Sequence, residues 1–395
     1  MLTKHDLIDF EKGLADKYDA GEYPYLVHLS GGNEDQLIRI FEEIEPGDYV
    51  FSTHRSHYHY LLHGGNPEHL GSLIARGKSM FVFDKELNFY SSSILAGTPA
   101  IAAGVAWALK RKHIGNRVWC FIGDGAADEG HFYEAARYVE GWDLPCTFII
   151  EDNNRSVHAD KYTRWGRCPD FSQFKCVRRY YYNATYPHGG SGTPGWLDFK
   201  HKAILEDPPE KKQLWQRDST TLSKYKDAVT EAMEEMAGLG AIFVGYNVRY
   251  GGGYGTLDNV PEEQRLETPV AENLMAGLAM GMSLVGFRPV LFFERQDFLL
   301  NAIDALVNQA DRIETISEGQ FSFPIIIRAV IGSVTPFYAG ITHTSDYTDI
   351  SNQLFSFPVV RPETSGQVRG AYRAAWKSKG PVMISEPKEL HEVVC

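Results

Sequence analysis

Small and polar residues follow two apolar runs that lie about thirty residues apart. Gly123-Asp124-Gly125 comes directly after the run VWCFI, and Asn153-Asn154 follows the run CTFII at 146–150. Both runs are rich in β-formers and predict buried strands, with a helix between them over about 129–140. The glycines let the backbone turn sharply and approach a phosphate. A carboxylate and an amide oxygen at one sheet edge suit Mg²⁺ that also binds phosphate.

Taken alone, GDG occurs often by chance, and an ordinary helix cap at Asp124 is the favoured interpretation. The whole unit from Gly123 to Asn154 is more specific. It resembles the motif, beginning with GDG and ending with NN, that binds thiamin diphosphate in transketolases and 2-oxo acid dehydrogenases. The closest likeness is to the alpha subunit of the dehydrogenases' decarboxylating component, with Glu134 and Leu144-Pro145 at the expected positions.

This resemblance implies a set of metal and cofactor ligands in the first half of the chain. Asp124 and Asn153 are expected to hold Mg²⁺ together with the main-chain carbonyl of Arg155. Asn154 is the alternative ligand if the register shifts by one residue. Gly123 and Gly125 are expected to lie against the diphosphate.

A second candidate carboxylate, Glu272, precedes a helix predicted over about 271–284. On its own it is a first-turn residue favoured by the helix dipole. The segment 267–312, ETPVAENLMAGLAMGMSL and onward, resembles the beta subunit of the same dehydrogenase component. That resemblance implies that Glu272 hydrogen-bonds the cofactor's pyrimidine ring and makes its 4-amino group basic. A dry pocket that raises the pKa of the carboxyl group would assist this role.

The same resemblance implies roles for two further residues of the second half. Phe298 falls where an aromatic ring stacks on the aminopyrimidine, although plain core packing is an equal alternative. His343, in the segment THTSD, resembles the histidine loop of the beta subunit and of transketolases. It is expected to transfer protons during carbon–carbon cleavage, with a surface-loop histidine as the alternative.

The segment His54-Arg55-Ser56-His57 follows a predicted strand, GDYVFST, and resembles the tyrosine–arginine–x–histidine segment of the alpha subunit. Arg55 is therefore expected to bind the diphosphate through its guanidinium group. His57 is expected either to bond the diphosphate or to shuttle protons near the thiazolium. The histidines at 54, 57, 59 and 63 also raise the possibility of a metal site. That alternative is disfavoured because no Cys, Asp or Glu joins them at ligand spacing.

Composition limits the classes of function. With 43% hydrophobic and 23% charged residues, the sequence is typical of a globular protein. A formal charge of −12 argues against general nucleic-acid binding. The sequence has no apolar run of membrane-spanning length and no signal-peptide core, so we expect no membrane association and a cytoplasmic location. Five cysteines show no metal spacing, since the gap from Cys168 to Cys176 is too wide, and we expect reduced thiols.

Alternation of strands and helices predicts two doubly wound α/β domains, a pyrophosphate-type domain over 1–210 and a pyrimidine-type domain over 211–395. The boundary is placed at the polar, proline-containing segment 206–212. The aromatic segment 164–195 reads as irregular. The predicted second-half elements are strands at 241–246, 289–293, 323–330 and 381–385, and helices at about 219–237, 271–284, 298–317 and 365–379. Two such domains would offer strand ends suited to a long cofactor.

Two other motifs give no functional assignment. The glycines of 251–255 suggest a phosphate loop, but the GxxxxGK pattern is missing. Residues 186–191, YPHGGS, only partly match the paired-histidine loop of the dehydrogenases. The run GDGAADEG also lacks the GxGxxG spacing of nicotinamide-binding proteins.

The resemblance therefore implies an enzyme that uses thiamin diphosphate and Mg²⁺. We expect it to cleave and form carbon–carbon bonds, passing an acyl or ketol group from a 2-oxo acid or ketose to a small-molecule acceptor. The alternative is a decarboxylating component that hands acyl groups to a lipoyl acyltransferase. The sequence stops near Glu386, where the beta subunit continues into a third domain, which favours the stand-alone carboligase. A non-catalytic scaffold is the alternative of another class. We expect a homodimer or a larger homo-oligomer.

Overall fold

The computed structural model describes residues 2–23, 25–156, 159–167, 169–186, 210–212, 222–334 and 339–394. The chain divides into two compact units, 1–207 and 208–395, called here the front unit and the back unit. Most of the predicted boundary segment lies outside the described residues. So do residues 187–191 of the partial histidine-loop match, together with Cys168 and Cys395.

The front unit contains six strands and seven α-helices among its described residues. Its helices are α1 (Lys4–Asp19), α2 (Glu34–Phe41), α3 (His57–Leu62), α4 (Pro67–Ala75), α5 (Pro99–Arg111), α6 (Gly130–Gly141) and α7 (Lys161–Trp165). Its strands are β1 (Tyr49–Ser52), β2 (Phe83–Asp84), β3 (Phe89–Ser91), β4 (Val118–Gly123), β5 (Cys146–Asp152) and β6 (Val177–Tyr181).

These strands form one sheet in the order β2-β3-β1-β4-β5-β6, in which only the β2–β3 pair is antiparallel. The apolar runs of β4 and β5 are buried along their length, as expected for central strands of a parallel sheet covered on both faces. From β1 the chain first adds strands on one side and then on the other. The sheet therefore has its topological switch point between β1 and β4, where ligands bind in open α/β sheets.

The back unit has a second sheet of six strands, all parallel, in the order β11-β12-β10-β9-β7-β8. Its strands are β7 (Ile242–Gly245), β8 (Arg265–Glu267), β9 (Pro289–Phe293), β10 (Ile326–Ile331), β11 (Val359–Val360) and β12 (Val382–Pro387). Its helices are α8 (Tyr225–Gly238), the short turn α9 (Gly252–Gly255), α10 (Glu272–Leu284), α11 (Gln296–Leu299), α12 (Ile313–Ile316), α13 (Thr348–Leu354) and α14 (Ser365–Lys377). The switch point of this sheet lies between β7 and β9. The predicted fold class, two doubly wound α/β domains, is confirmed.

Two predicted elements differ from the structure. The helix predicted over 298–317 is broken into α11, a 3₁₀ turn at Leu300–Ala302, a π-helical stretch at Ala305–Asp311 and α12. Apolar spacing alone cannot distinguish these winding forms here, because each stretch spans too few turns to show its period. The aromatic segment predicted to be irregular contains β6. Its sequence, VRRYY, lacks the polar–apolar alternation of a strand with one buried face.

The cysteines that the structure describes are free thiols, and Cys120 and Cys146 lie in buried strands. Burial raises the pKa of Cys120 to about 12, so this thiol is unreactive at neutral pH. None of the helices in the described part of the chain combines the length and apolar content needed to cross a bilayer.

The buried His391, which follows β12, should make the folding stability of the back unit decrease at acidic pH. Its side chain packs against Tyr225 and Tyr254, and burial lowers its pKa to about 4. The carboxylate of Glu386 opposes this shift, and the cation of Lys388 adds to it. Because the unfolded chain binds a proton near pH 6.5 and the folded chain does not, stability is lost as pH falls from about 6.5 to about 4.

We expect this single group to lower the free energy of unfolding by about 2 kcal/mol between pH 7 and pH 4.5. Urea unfolding at both values measures the loss. His391→Phe should remove that part of the pH dependence, whereas His5→Gln, an exposed histidine of α1, should not. An unchanged pH dependence in His391→Phe would contradict the assignment.

Candidate functional site

A cavity of about 680 Å³ lies in the front unit at the carboxyl ends of β1, β4 and β5. It therefore occupies the topological switch point of the sheet. The residues predicted from the sequence that line it are Arg55, Gly123, Asp124, Gly125, Asn153, Asn154 and Arg155. The fold thus brings most of the predicted cofactor and metal residues to one place.

Asp124 is the acidic residue of the predicted metal set, and it is buried, with 4% of its surface exposed. Its Oδ2 accepts a hydrogen bond from Arg164 Nη2 at 3.0 Å. Its Oδ1 is buried and has no hydrogen-bond partner among the residues that the structure describes. Burial raises the pKa of this carboxyl group, although Arg164 opposes the shift. A buried carboxylate oxygen without a donor is suited to a cation.

Asn153 and Asn154 differ in how their side chains are used. Asn153 Oδ1 accepts the backbone N–H of Arg155 at 2.9 Å, and Nδ2 donates to Tyr182 Oη at 3.3 Å. Asn154 has a positive φ of 60°, and its Oδ1 accepts the backbone N–H of Lys161 at 3.2 Å. Each amide oxygen thus accepts one backbone N–H of the local turn, so these contacts do not distinguish Asn153 from Asn154 as the metal ligand.

The two predicted glycines meet different surroundings. A Cβ at Gly125 would lie 2.6 Å from Ser156 Oγ, so a side chain there would force the loop after Asn154 to move. A Cβ at Gly123 would meet nothing within 4 Å. Gly125 is therefore required by close packing of two cavity-lining loops, and Gly123 lines open space.

Arg55 lies in the loop after β1, with His54 beside it in the cavity wall. Its Nη1 donates to the main-chain oxygen of Leu29 at 2.6 Å. Burial lowers the pKa of the guanidinium group, but an arginine side chain remains charged at any physiological pH. The bond to Leu29 fixes a cation at the cavity, as phosphate binding requires.

The structure does not place His57 in the cavity wall. The side chain is fully buried in α3, with Nδ1 2.9 Å from Glu11 Oε1 and Nε2 3.0 Å from Ser79 Oγ. Since both ring nitrogens already have partners, this arrangement disagrees with the predicted contact to diphosphate or thiazolium. The ring instead ties the first turn of α3 to α1.

The sequence reasoning missed an acidic group of the cavity wall. Glu151, near the end of β5, lines the cavity, and its Oε1 accepts from His59 Nε2 at 3.2 Å, Asn33 Nδ2 at 3.0 Å and Tyr180 Oη at 2.5 Å. His59 Nδ1 in turn shares a hydrogen bond with Ser52 Oγ at 2.7 Å. Because these partners are far apart in the sequence, no local spacing indicated them.

Two cations of the segment after the metal motif were also missed. Arg164 in α7 donates a hydrogen bond from Nη2 to Asp124. Its Nε donates a second one to Asp128 Oδ2 at 2.8 Å. Lys161 forms an ion pair with Asp152 and lies 3.9 Å from Asp124 Oδ2. These side chains balance the acidic edge of the sheet, where two carboxylates would otherwise repel each other.

The predicted residues of the back unit also come together, at the switch point of its own sheet. Glu272 begins α10 and is 6% exposed. Its two oxygens accept from Tyr246 Oη at 3.4 Å and Asn301 Nδ2 at 3.3 Å. The ring of Phe298 lies 6.3 Å from that of Tyr246 and 5.2 Å, edge to face, from that of His343. Glu272, Phe298 and His343 thus belong to one cluster, which Tyr246 links.

The oxygen donors of the front unit fit a hard divalent cation and a diphosphate. The carboxylate of Asp124, the carboxamide of Asn153 and the main chain at Arg155 provide the ligand types that Mg²⁺ prefers, and Arg55 provides a charge for phosphate. In the described part of the chain, no three His, Cys, Asp or Glu side chains form a group able to hold a metal ion. The predicted set of three protein oxygens leaves coordination positions that phosphate and water could fill.

Two family models match the chain, the dehydrogenase E1 component over residues 4–173 and the transketolase pyrimidine binding domain over residues 222–393. The alpha subunit of acetoin:2,6-dichlorophenolindophenol oxidoreductase from Cupriavidus necator is 32% identical over 155 residues, 37% of this chain and 46% of that protein. The 2-oxoisovalerate dehydrogenase subunit beta of Bacillus subtilis is 28% identical over 181 residues, 44% of this chain and 55% of that protein.

The pyruvate dehydrogenase E1 component subunit alpha of Rickettsia felis is 32% identical over 158 residues, 38% of this chain and 48% of that protein. The chain thus spans about half the length of the curated relatives it matches. Among solved structures, transketolase from Campylobacter jejuni is similar with a TM-score of 0.67 and 14% identity, covering 97% of this chain and 78% of that one. That likeness supports the fold. The chain therefore combines a front half that matches the dehydrogenase E1 component with a back half that matches the transketolase pyrimidine binding domain, the order of a fused alpha-plus-beta-like chain.

Proposed function

We propose that the chain is an enzyme that uses thiamin diphosphate and Mg²⁺ to cleave a carbon–carbon bond of a 2-oxo acid or ketose and to transfer the acyl or ketol group to an acceptor. Two observations carry the proposal, one in each unit. The cavity of the front unit contains a buried, unpartnered carboxylate oxygen on Asp124, and the back unit presents the buried Glu272 beside Phe298 and His343. When bound, thiamin diphosphate supplies a thiazolium carbon that adds to carbonyl groups and accepts the electrons released on cleavage.

In the front unit, the proposed work of the side chains is binding and charge balance. Asp124 Oδ1, Asn153 Oδ1 and the carbonyl of Arg155 would hold the metal. Arg55 would bind phosphate oxygens, and Gly125 allows the two loops of the cavity wall to pack closely because a side chain there would strike Ser156. These groups hold an anion in place and perform no bond cleavage themselves.

In the back unit, the proposed work is proton transfer. Glu272 would share a proton with the pyrimidine ring from a position fixed by Tyr246 and Asn301. Phe298 offers an aromatic surface for stacking. His343 Nδ1 is bonded to Thr342 Oγ1 at 2.9 Å, so Nε2 is the atom proposed to donate and accept protons on the substrate.

Two acceptors are consistent with this chemistry. A small aldehyde or sugar acceptor needs no partner protein, which makes a stand-alone carboligase the first candidate. The names of the relatives favour a second candidate, a decarboxylating component that passes acyl groups to a lipoyl partner, because they include pyruvate and 2-oxoisovalerate dehydrogenase subunits. We propose a homo-oligomer for either activity.

Cofactor titration tests the proposal first. Thiamin diphosphate added with Mg²⁺ should produce a circular dichroism signal of the bound cofactor, and EDTA should abolish it. No binding at millimolar cofactor would refute the proposal.

Product analysis then separates the two candidates. Pyruvate and a panel of aldehydes should yield acyloin products if the chain is a carboligase. A free lipoyl domain should become acylated, without acyloins, if it is a dehydrogenase component.

A further inference from the structure

A buried glutamine ties three segments of the back unit together. Gln296 begins α11 and is fully buried. Its Oε1 accepts the backbone N–H of Tyr347 at 2.5 Å. Its Nε2 donates to Ser385 Oγ of β12 at 2.9 Å and to Thr348 Oγ1 at 3.3 Å. A backbone N–H can only donate, so these bonds fix the orientation of the amide group, in which both hydrogens have acceptors and the oxygen has a donor.

The segment that carries His343, residues 340–347, is called here the histidine loop. It packs against Gly332, just after β10, where a Cβ would lie 1.9 Å from the main-chain oxygen of His343. Asp297 Oδ2 accepts the backbone N–H two residues after His343 at 3.3 Å. The ring of Phe298 contacts the imidazole ring edge to face. The short helix α11 therefore supports both the ring and the main chain of this loop.

Among the side chains of α11 that hold the histidine loop, Gln296 has the firmest anchor. Asp297 is partly exposed and makes one long hydrogen bond, which water can replace. Gln296 is shielded from water, and its amide also reaches β12, an interior strand of the sheet. Loss of the amide would leave the backbone N–H of Tyr347 without its acceptor, so the end of the loop would have to move to find another.

We infer that Gln296 is a positioning residue for His343: by tying the end of the histidine loop to β12, it holds the imidazole ring in its place beside Phe298. The inference rests on the proposed role of His343 in proton transfer. Gln296 and Phe298 lie within one turn of α11, so the end of the loop and the ring of His343 are held in a fixed relation.

The position of the His343 ring can be measured on the full-length chain without turnover. Histidine labelled with ¹³C at Cε1 gives one NMR signal for each of the 14 histidines, and the signal lost in His343→Gln identifies this one. The ring current of Phe298 should displace that signal. Gln296→Met has a similar volume but no amide, so it should abolish the displacement. Gln296→Glu keeps an acceptor for Tyr347, and the two hydroxyl partners can turn to donate, so it should retain the displacement.

Gln264→Met is the matched control. Gln264 is another glutamine of the back unit, and its Nε2 donates to the main-chain oxygens of Ala237 and Ala241 at 2.9 Å. Its substitution should leave the His343 signal unchanged. A His343 signal that stays in place in Gln296→Met, or that moves equally in Gln264→Met, would overturn the inference.

Turnover of an accepted 2-oxo acid provides the second measurement. Gln296→Met should lower kcat by up to about 100-fold, the cost of misplacing a reacting group by about 1 Å. In the His343→Ala background it should lower kcat less than about twofold, since the group that it positions is gone.

Equal losses of kcat from Gln296→Met in both backgrounds would show general damage and overturn the inference, as would no loss when His343 is present. Wild-type kcat in His343→Ala would instead refute the proposed role of His343 in proton transfer. The NMR signal would still report whether Gln296 places the ring, which keeps the two failures distinct.

Discussion

Glu272→Gln is expected to lower kcat by about 10³-fold, the size of effect typical for loss of a general acid or base. The substituted side chain has nearly the same volume and can still contact Tyr246 and Asn301, so the fold of the back unit should be preserved. An amide cannot exchange a proton with a ring nitrogen, and that is the step proposed for Glu272. The rate of consumption of an accepted 2-oxo acid measures kcat, and calorimetry measures cofactor affinity.

This result supports the role of Glu272 only if kcat falls while the affinity for the cofactor is nearly unchanged. We expect the affinity for thiamin diphosphate to change by less than tenfold, because the residues proposed to contact the diphosphate lie in the front unit. Glu314→Gln is the control, another first-turn acid of the back unit, but half exposed and paired with Lys212. It should retain wild-type kcat. Wild-type turnover by Glu272→Gln would remove the central group from the proposed mechanism.

Asp124→Asn is expected to weaken Mg²⁺-dependent binding of thiamin diphosphate by at least about 100-fold, since loss of partners to metal ligands alone costs 10- to 100-fold. The negative charge of the Asp124 carboxylate is the property that this substitution removes. The carboxylate provides a buried oxygen without a donor, and an amide replaces either that oxygen or its neighbour by an NH₂ group that repels a cation. Titration calorimetry with Mg²⁺ and with EDTA measures the metal-dependent part of the affinity.

Asp128→Asn controls for the effect of releasing Arg164. Asp128 bonds the Nε of Arg164, as Asp124 bonds its Nη2, but it does not line the cavity. We expect its substitution to change cofactor affinity only a few-fold. If Asp124→Asn and Asp128→Asn weaken binding equally, the effect belongs to Arg164, and Asp124 is not the metal ligand.

The sequence predicted the parts of the structure that depend on local patterns. β9 covers 289–293 in both the prediction and the structure, because PVLFF is an isolated apolar run with clear boundaries. Asp124 and Asn153 could be proposed for the same reason, since each lies within three residues of the end of such a run. Glu272 could not be singled out by its helix position, because a first-turn glutamate is common. The resemblance over the surrounding forty residues led to its predicted role.

What the sequence could not predict depends on contacts between distant residues. The burial of His57 follows from Glu11, which lies 46 residues away, and the anchoring of Glu151 follows from His59, 92 residues away. No spacing rule relates such pairs before the fold is known. The short strands β2, β3, β8 and β11 were also missed, because two or three residues are too few to show a period.

The position of β6 at the border of its sheet has a consequence for how this scaffold can diversify. A border strand has a neighbour on one side only, so its residues can change without repacking the interior strands β4 and β5. Here that strand, with Tyr182 just beyond it, holds both Glu151 and Asn153. Substitutions confined to one peripheral segment can therefore retune ligand preference, while the stability supplied by the central strands is left intact.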